Sequence, residues 1–88
     1  MNKVVLITGA TKNTGYATAQ RFAKEGWNVC ITSRDNKGAQ EAAARLQIEY
    51  PDVKIEGIVY EQSNVESIRA GFRRVKELFG RLDAFIPN

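Results

Sequence analysis

The sequence of 88 residues predicts an α/β fold with a doubly wound parallel sheet and the element order β-α-β-α-β-α-β. Short apolar runs without strict polar alternation occur at residues 4–7, 29–31, 58–59 and 84–86. Such runs are typical of strands that are buried on both faces, as the strands of parallel sheets are. Amphipathic stretches separate the runs, and strand starts lie about 24 to 29 residues apart, as right-handed crossovers between parallel strands require.

The first two helices are indicated by their ends and by an apolar stripe. The first is predicted from about Thr14 to Glu25, and Gly26 suits the left-handed position after a helix. Either Asp35 or Asn36 can cap the start of the second helix. Apolar positions with helical spacing follow in that helix at Ala39, Ala42, Ala43 and Leu46.

The third strand and the third helix complete the pattern. In the strand, apolar positions alternate with polar ones, which suits an outer strand with one wetter face: Val53, Ile55, Gly57 and Val59 alternate with Lys54 and Glu56. Ser63 and Glu66 have the spacing of a capping box at the start of the third helix, and Gly80 is predicted to end it. The apolar stripe of this helix is Val65, Ile68, Phe72, Val75 and Phe79.

The composition excludes several classes of function. The absence of histidine excludes imidazole bases and metal ligands, and the single cysteine, Cys30, excludes an internal disulfide framework. A net charge of +3 favours an anionic ligand but is too small to indicate a nucleic acid. The longest apolar run has four residues, so no membrane span is expected. A reducing, cytoplasmic location is the expectation.

A glycine-containing turn, TGATKNTG at residues 8–15, lies directly after the first strand and opens the first helix. Such a turn aims helix N–H groups and the positive end of the helix dipole at one spot, which suits a diphosphate. Gly9 is predicted to form the turn and Gly15 to permit close approach of cofactor and backbone. The alternative is an ordinary βα turn without a ligand. The predicted dinucleotide-binding residues of the turn are Gly9, Thr11, Lys12, Asn13, Thr14 and Gly15.

The turn resembles the N-terminal fingerprint TGxxxGxG of the short-chain dehydrogenase/reductase family. Thr8, Gly9 and Gly15 match it, while Asn13 stands where the middle glycine is usual. The departure is mild because asparagine tolerates left-handed backbone angles better than most residues. The related TGxxGxxG pattern would need glycine at Lys12, so the ordinary branch of the family fits better.

Two further segments resemble this family, so that the resemblance covers essentially the whole chain. Residues 82–88 look like the fourth-strand segment that runs into an NNAG motif; Asn88 matches the second asparagine, and Pro87 replaces the first. Glu61 stands where the family has an acidic residue, usually aspartate, near the adenine. The resemblance therefore implies a Rossmann-type fold, with cofactor contacts from Glu61, the adjoining Gln62 and Asn88.

Charge after the second strand predicts NADP(H) rather than NAD(H) as the cofactor. An NAD-selective site has a carboxylate there for the ribose hydroxyls, whereas this place reads Thr32-Ser33-Arg34, with no acid until Asp35. Arg34 can pair with a 2′-phosphate, Lys12 adds a second cation, and Ser33 can donate a hydrogen bond. The alternative is that Arg34 and Lys12 are solvated surface charges.

The resemblance implies hydride transfer between the nicotinamide and a carbonyl or alcohol, with a tyrosine, a lysine and a serine as catalytic residues. Tyr50 and Lys54 have the family's YxxxK spacing, but Pro51 and the strand near Val53 should separate them. No catalytic residue can therefore be assigned. We expect residues 1–88 to be the N-terminal cofactor-binding part of a single longer domain, truncated after the fourth strand and catalytically silent alone.

The alternative function is a stand-alone module that binds NADP(H) or joins a protein partner. With the strand order 3-2-1-4, residues 84–86 form an apolar edge strand, which predicts self-association or pairing with the missing remainder of the enzyme. Cys30 and Trp27 are interpreted as core residues. A solvated helix face, and not a nucleic-acid site, is the interpretation of Arg69, Arg73, Arg74, Lys76 and Arg81.

Overall fold

The computed structural model describes residues 2–11 and 13–88, so Met1 and Lys12 lie outside the described residues. Within them, the elements are β1 (Val4–Ile7), α1 (Asn13–Lys24), β2 (Asn28–Ser33), α2 (Asn36–Glu49), β3 (Ile55–Val59), α3 (Val65–Phe79) and β4 (Ala84–Ile86). All paired strands are parallel, in the order β3-β2-β1-β4. The predicted Rossmann-type α/β fold and the predicted strand order are confirmed.

The core lies on both faces of the sheet. Successive strand side chains point to opposite faces, so the continuous apolar run of β1 reflects cover on both sides. One face packs against α1 and α2, and its buried members include Val5, Ile7, Val29, Ala19, Ala42 and Leu46. The other face packs against α3 and includes Val4, Leu6, Cys30, Ile58 and Val75. Helices on both faces make the sheet doubly wound.

Cys30 and Trp27 are packing residues, as the sequence indicates. Cys30 is fully buried, and burial raises the pKa of its thiol to about 12, so the thiol stays protonated at neutral pH. Trp27 is half-buried and meets the ring of Phe22 edge to face, with ring centroids 4.9 Å apart. Among the described residues, no helix is long and apolar enough to cross a membrane.

The helix caps agree with the sequence prediction except at the start of α3. Asp35 caps α2, because its Oδ2 accepts a hydrogen bond from the Gly38 amide at 3.0 Å. Gly80 ends α3 with a φ of +80°, as predicted. The predicted capping box is wrong, since Asn64 caps α3 through a 3.1 Å bond from the Ser67 amide. Ser63 lies one residue outside the cap, and its hydroxyl donates to a carboxylate oxygen of the nearby Glu61.

Two apolar residues predicted on buried faces are exposed. Val65 is 62% exposed because it lies in the first turn of α3, ahead of the point where Gly71 packs on the ring of Tyr60. Val59 is 46% exposed and lies at the end of β3, in register with Ser33. Both residues lie at the carboxyl edge of the sheet, where the helices no longer cover the strands completely.

Candidate functional site

A cavity of about 300 Å³ opens at the carboxyl ends of the strands. The chain passes from β1 to β2 and β3 on one side and reaches β4 on the other. Ligands of open α/β sheets bind at such a switch point, outside the carboxyl ends of the strands. The residues that line the cavity are Thr8, Gly9, Thr11, Thr32, Ser33, Arg34, Tyr60, Gln62 and Asn88.

Two of the described residues of the glycine turn have left-handed backbone angles. Gly9 has a φ of +64°, and Asn13 has a φ of +57°. Asparagine at the position of the usual middle glycine therefore adopts the conformation that the sequence predicts for it. A Cβ atom at Gly15 would lie 2.6 Å from both the Gly9 carbonyl oxygen and Asn88 Nδ2. Only glycine lets α1 begin this close to the turn.

Three amides in the described part of the glycine turn are used by the protein itself, and the first is that of Thr8, which donates to the Ile86 carbonyl at 3.1 Å. The Gly9 amide donates to Thr32 Oγ1 at 3.2 Å, and the Ala10 amide donates to the Thr32 carbonyl at 3.3 Å. These amides are therefore not free for an anion. The first turn of an α-helix has N–H groups without intrahelical acceptors. Since α1 begins at Asn13, the amides of Asn13, Thr14 and Gly15 are such groups.

Asn88 and Thr8 connect β4 to the glycine turn. The Asn88 amide donates to Thr8 Oγ1 at 3.0 Å, and Asn88 Nδ2 donates to the Gly9 carbonyl at 3.3 Å. Thr8 and Thr32 are 2% and 1% exposed, so their hydroxyls act inside the protein, beneath the turn. The structure thus places Asn88 beside the glycine turn, 79 residues away in sequence from Gly9.

Ser33 and Arg34 line the cavity, as expected of residues at the carboxyl end of β2. Ser33 Oγ accepts a hydrogen bond from the Asp35 amide at 3.2 Å, so its own hydroxyl hydrogen can still be donated. Arg34 is exposed and forms no ion pair with the part of the chain that the structure describes. Asp35 does not line the cavity and caps α2 instead. Lys12, the second predicted cation, lies outside the described residues.

The end of β3 contributes Tyr60 and Gln62 to the cavity. Glu61 does not line it; its carboxylate accepts from Ser63, and its amide donates to Ser67 Oγ at 2.7 Å. Tyr60 is 5% exposed. Its place directly after a strand is the signal that could have identified it, because ligands bind at the carboxyl ends of parallel strands. The other lining residues not predicted as binding residues are Thr8, which also lies directly after a strand, and Thr32, which is the second-last residue of β2.

Tyr50 and Lys54, which have the YxxxK spacing, contact different parts of the structure. Tyr50 ends α2 and packs half-buried against the core. The Lys54 ammonium group donates to the Leu78 carbonyl and lies 5.0 Å from the centroid of the Phe79 ring. The basic groups of α3 are exposed and include ion pairs with acids of the same helix, namely Arg69 with Glu66 and Arg74 with Glu77.

The parallel sheet, the glycine turn and the cavity at the switch point define a nucleotide-binding protein of the Rossmann type. The sequence model of the family described as short chain dehydrogenase matches residues 3–88. The chain therefore belongs to the short-chain dehydrogenase/reductase family and corresponds to its N-terminal portion. Nicotinamide dinucleotides are the cofactors of this family.

Several known proteins are similar to this chain in sequence and in fold. A 3α-hydroxysteroid dehydrogenase of Mediterraneibacter gnavus is 31% identical over 87 residues, which are 99% of this chain and 35% of that protein. L-Sorbose reductase from Gluconobacter frateurii, complexed with NADPH and L-sorbose, matches with a TM-score of 0.89 at 30% identity, covering 96% of this chain and 32% of that one. An alcohol dehydrogenase from Thermococcus sibiricus, complexed with 5-hydroxy-NADP, matches with a TM-score of 0.88 at 28% identity, covering 97% of this chain and 36% of that one. The chain thus spans about one third of the length of these relatives.

Proposed function

We propose that this chain is the NADP(H)-binding portion of a longer reductase that transfers hydride between NADP(H) and a carbonyl or alcohol. The observation that carries the choice of NADP(H) is the charge at the end of β2. Arg34, an exposed guanidinium, lines the cavity beside Ser33, and no carboxylate lines the cavity among the described residues. A guanidinium is suited to a 2′-phosphate, whereas a ribose diol calls for a carboxylate.

The residues present fit a dinucleotide. The diphosphate is proposed to lie at the first turn of α1, where the free amides begin and where Gly15 keeps the backbone approachable. The adenosine is proposed to lie in the cavity between the ends of β2 and β3, with Gln62 at its margin. Ser33 and Arg34 would then hold the 2′-phosphate. A cavity of about 300 Å³ lies at the lower end of the range of ligand sites and suits this half of the cofactor.

Two similar proteins support the cofactor assignment. The L-sorbose reductase is complexed with NADPH, and the archaeal alcohol dehydrogenase is complexed with 5-hydroxy-NADP. Bound NADPH would supply the hydride, while this chain would bind and orient the adenine half. The catalytic residues are proposed to lie in the part of a longer protein that the relatives have and this chain does not span. A cytoplasmic location is part of the proposal, and a buried free thiol at Cys30 is compatible with it.

The proposal is tested by titrating the chain and its Arg34→Asp variant with NADPH and NADH. We expect the unmodified chain to bind NADPH more tightly than NADH. In the variant the ratio of the two affinities should fall at least about tenfold, because a carboxylate repels a 2′-phosphate. Arg69→Asp makes the same charge change on the exposed face of α3 and should leave the preference unaltered. Unchanged selectivity in Arg34→Asp would overturn the choice of NADP(H), and absence of any binding would overturn the function.

A second candidate is a stand-alone NADP(H)-binding or protein-interaction module, which is favoured by the position of β4 at the edge of the sheet, where Phe85 is 39% exposed. Both candidates predict that these 88 residues do not turn over a substrate. An assay with NADPH and a panel of carbonyls tests that expectation, and turnover above background would contradict it. The candidates are separated by sequencing the gene beyond the Asn88 codon and assaying any longer chain that it encodes, since only a reductase would gain activity.

A further inference from the structure

A cluster of side chains from α1 and α2 also contacts the glycine turn. The guanidinium of Arg45 lies over the ring of Tyr16, 4.8 Å from the ring centroid. Its Nη2 atom lies 3.4 Å from the Thr11 carbonyl oxygen and donates a hydrogen bond to it. Arg45 is exposed and Thr11 lines the cavity, so this contact connects the outer surface of α2 to the edge of the candidate site.

Other members of the cluster hold Tyr16 in place. The Tyr16 hydroxyl donates to Glu49 Oε1 at 2.8 Å, and Gln20 Nε2 donates to both Glu49 oxygens at 3.2 and 3.4 Å. Burial and, next, the bond to Glu49 raise the pKa of Tyr16, which keeps the phenol protonated as a donor. Tyr16 and Gln20 lie four residues apart on α1, and Arg45 and Glu49 lie four apart on α2. Each pair therefore presents one face to the other helix.

We infer that Arg45 is a positioning residue for the glycine turn, which it holds through the Thr11 carbonyl while stacked on Tyr16. The inference deepens the proposed function and rests on it, because it concerns affinity for the cofactor. The turn contains left-handed residues at Gly9 and Asn13, and its residues 9–11 lie outside the helices and strands. Because Arg45 holds the Thr11 carbonyl, the free turn samples fewer conformations and loses less conformational entropy when it binds a diphosphate.

The competing explanation is that Arg45 acts only by its charge. Lysine has the same charge but lacks the planar fork that stacks on a ring and donates in a fixed direction. Arg45→Lys therefore separates positioning from charge. The ligand also separates them, because adenosine 2′-phosphate carries the 2′-phosphate of NADPH without its diphosphate.

The experiment measures dissociation constants of NADPH and adenosine 2′-phosphate for the unmodified chain, Arg45→Ala and Arg45→Lys. We expect both variants to bind NADPH about fivefold more weakly, as the loss of one exposed cation–π contact and one weak hydrogen bond implies. Binding of adenosine 2′-phosphate should stay within the error of the measurement. Arg21→Ala is the matched control, because Arg21 is an exposed arginine that pairs with Glu25 at the far end of α1. A thermal melt of each variant checks that it is folded.

Amide hydrogen exchange provides a readout that needs no cofactor. The amides of Gly9 and Ala10, which donate to Thr32, should exchange faster in Arg45→Ala than in the unmodified chain or in Arg21→Ala. Equal exchange rates would overturn the positioning role, as would unchanged NADPH affinity in Arg45→Lys or an equal loss for both ligands. If the unmodified chain binds no NADPH, the proposed function fails, and the exchange rates alone still decide whether Arg45 positions the turn.

Discussion

At the scale of single residues, the candidate site depends on a few backbone positions that the sequence identifies and on partners that it does not. Gly9, Asn13 and Gly15 can be predicted because their conformation or crowding follows from a turn between a strand and a helix. The hydroxyl of Thr32 under the Gly9 amide could not be predicted, because the contact depends on how β2 lies beside β1. The local pattern therefore locates the turn, and the neighbouring strand fixes which of its amides remain free.

Replacement of Gly15 tests the crowding at the turn. The added methyl group of Gly15→Ala would lie 2.6 Å from the Gly9 carbonyl oxygen, so we expect a loss of about 1–3 kcal/mol in unfolding free energy. The matched control is Gly38→Ala, also in the first turns of a helix. Its Cβ would find its nearest atoms at 3.4 Å, an ordinary contact, and the variant should be more stable by about 0.5–1 kcal/mol. Urea denaturation measures both, and destabilisation of similar size in the two variants would contradict the argument.

Asp83 is expected to make the stability depend on acid pH. Its carboxylate accepts from the Arg81 guanidinium at 2.6 and 2.8 Å and from the Val4 amide at 2.8 Å, and these contacts, Arg81 first, lower its pKa. A lowered folded-state pKa means that the stabilisation is complete above the unfolded value of about 4 and is lost as the pH falls through the folded value.

The melting temperature of Asp83→Asn should therefore lie below that of the unmodified chain at pH 6, and the two should converge as the pH falls. Arg81→Gln removes the larger cause and keeps the Val4 bond, so its acid dependence should be intermediate. A difference between Asp83→Asn and the unmodified chain that is the same at pH 6 and at low pH would show that the carboxylate charge is not responsible.

At the scale of elements, helix α3 shows how two adjacent capping signals compete. Ser63 and Glu66 have capping-box spacing, but Asn64 is an equally good cap one residue later. Asn64 has extended backbone angles and accepts the Ser67 amide, while Ser63 is bonded to Glu61. Because the Ser63 hydroxyl bonds to Glu61 in the turn after β3, Asn64 caps the helix and Ser63 does not.

The assignment of the cap is tested by two alanine variants. Asn64→Ala should lower the free energy of unfolding by about 1 kcal/mol, because it leaves an N–H of the first turn without its acceptor. Ser63→Ala removes only an exposed bond between side chains and should change the stability by less than about 0.5 kcal/mol. Chemical denaturation of both gives the comparison, and a larger effect of Ser63→Ala would restore the capping box.

At the scale of the whole molecule, the two edges of the sheet are protected differently. Beside β3, Gln47 of α2 donates to the Val53 carbonyl at 2.7 Å and accepts from the Ile55 amide at 3.1 Å. Gln40, seven residues earlier, donates to the Gly57 carbonyl at 2.8 Å. Side chains therefore satisfy backbone groups at this edge. No such cover is present along β4 among the described residues, and Phe85 of that strand is 39% exposed.

We therefore expect the chain to self-associate through β4, since an open apolar edge can pair with another strand. Phe85→Lys should reduce association, measured by sedimentation velocity over a range of concentrations, because a charge on an edge strand opposes pairing. Val59→Lys places the same charge at the β3 edge, where Val59 is 46% exposed, and should leave association unchanged. A monodisperse monomer at all concentrations would contradict the expectation, and an equal effect of both variants would assign the contact to neither edge.

The element order, the glycine turn after β1, the end of α3 at Gly80 and the family could be predicted from the sequence, because each depends on residues that are neighbours along the chain. The sequence left both Asp35 and Asn36 as possible caps of α2, and the structure shows Asp35 as the cap. Three features could be found only in the folded chain: Thr32 accepts from the Gly9 amide, Tyr60 lines the cavity, and Arg45 donates to the Thr11 carbonyl. The bonded partners lie far apart in sequence, 23 residues for Gly9 and Thr32 and 34 for Arg45 and Thr11. Their contacts are set by strand register and helix packing, which no local pattern encodes.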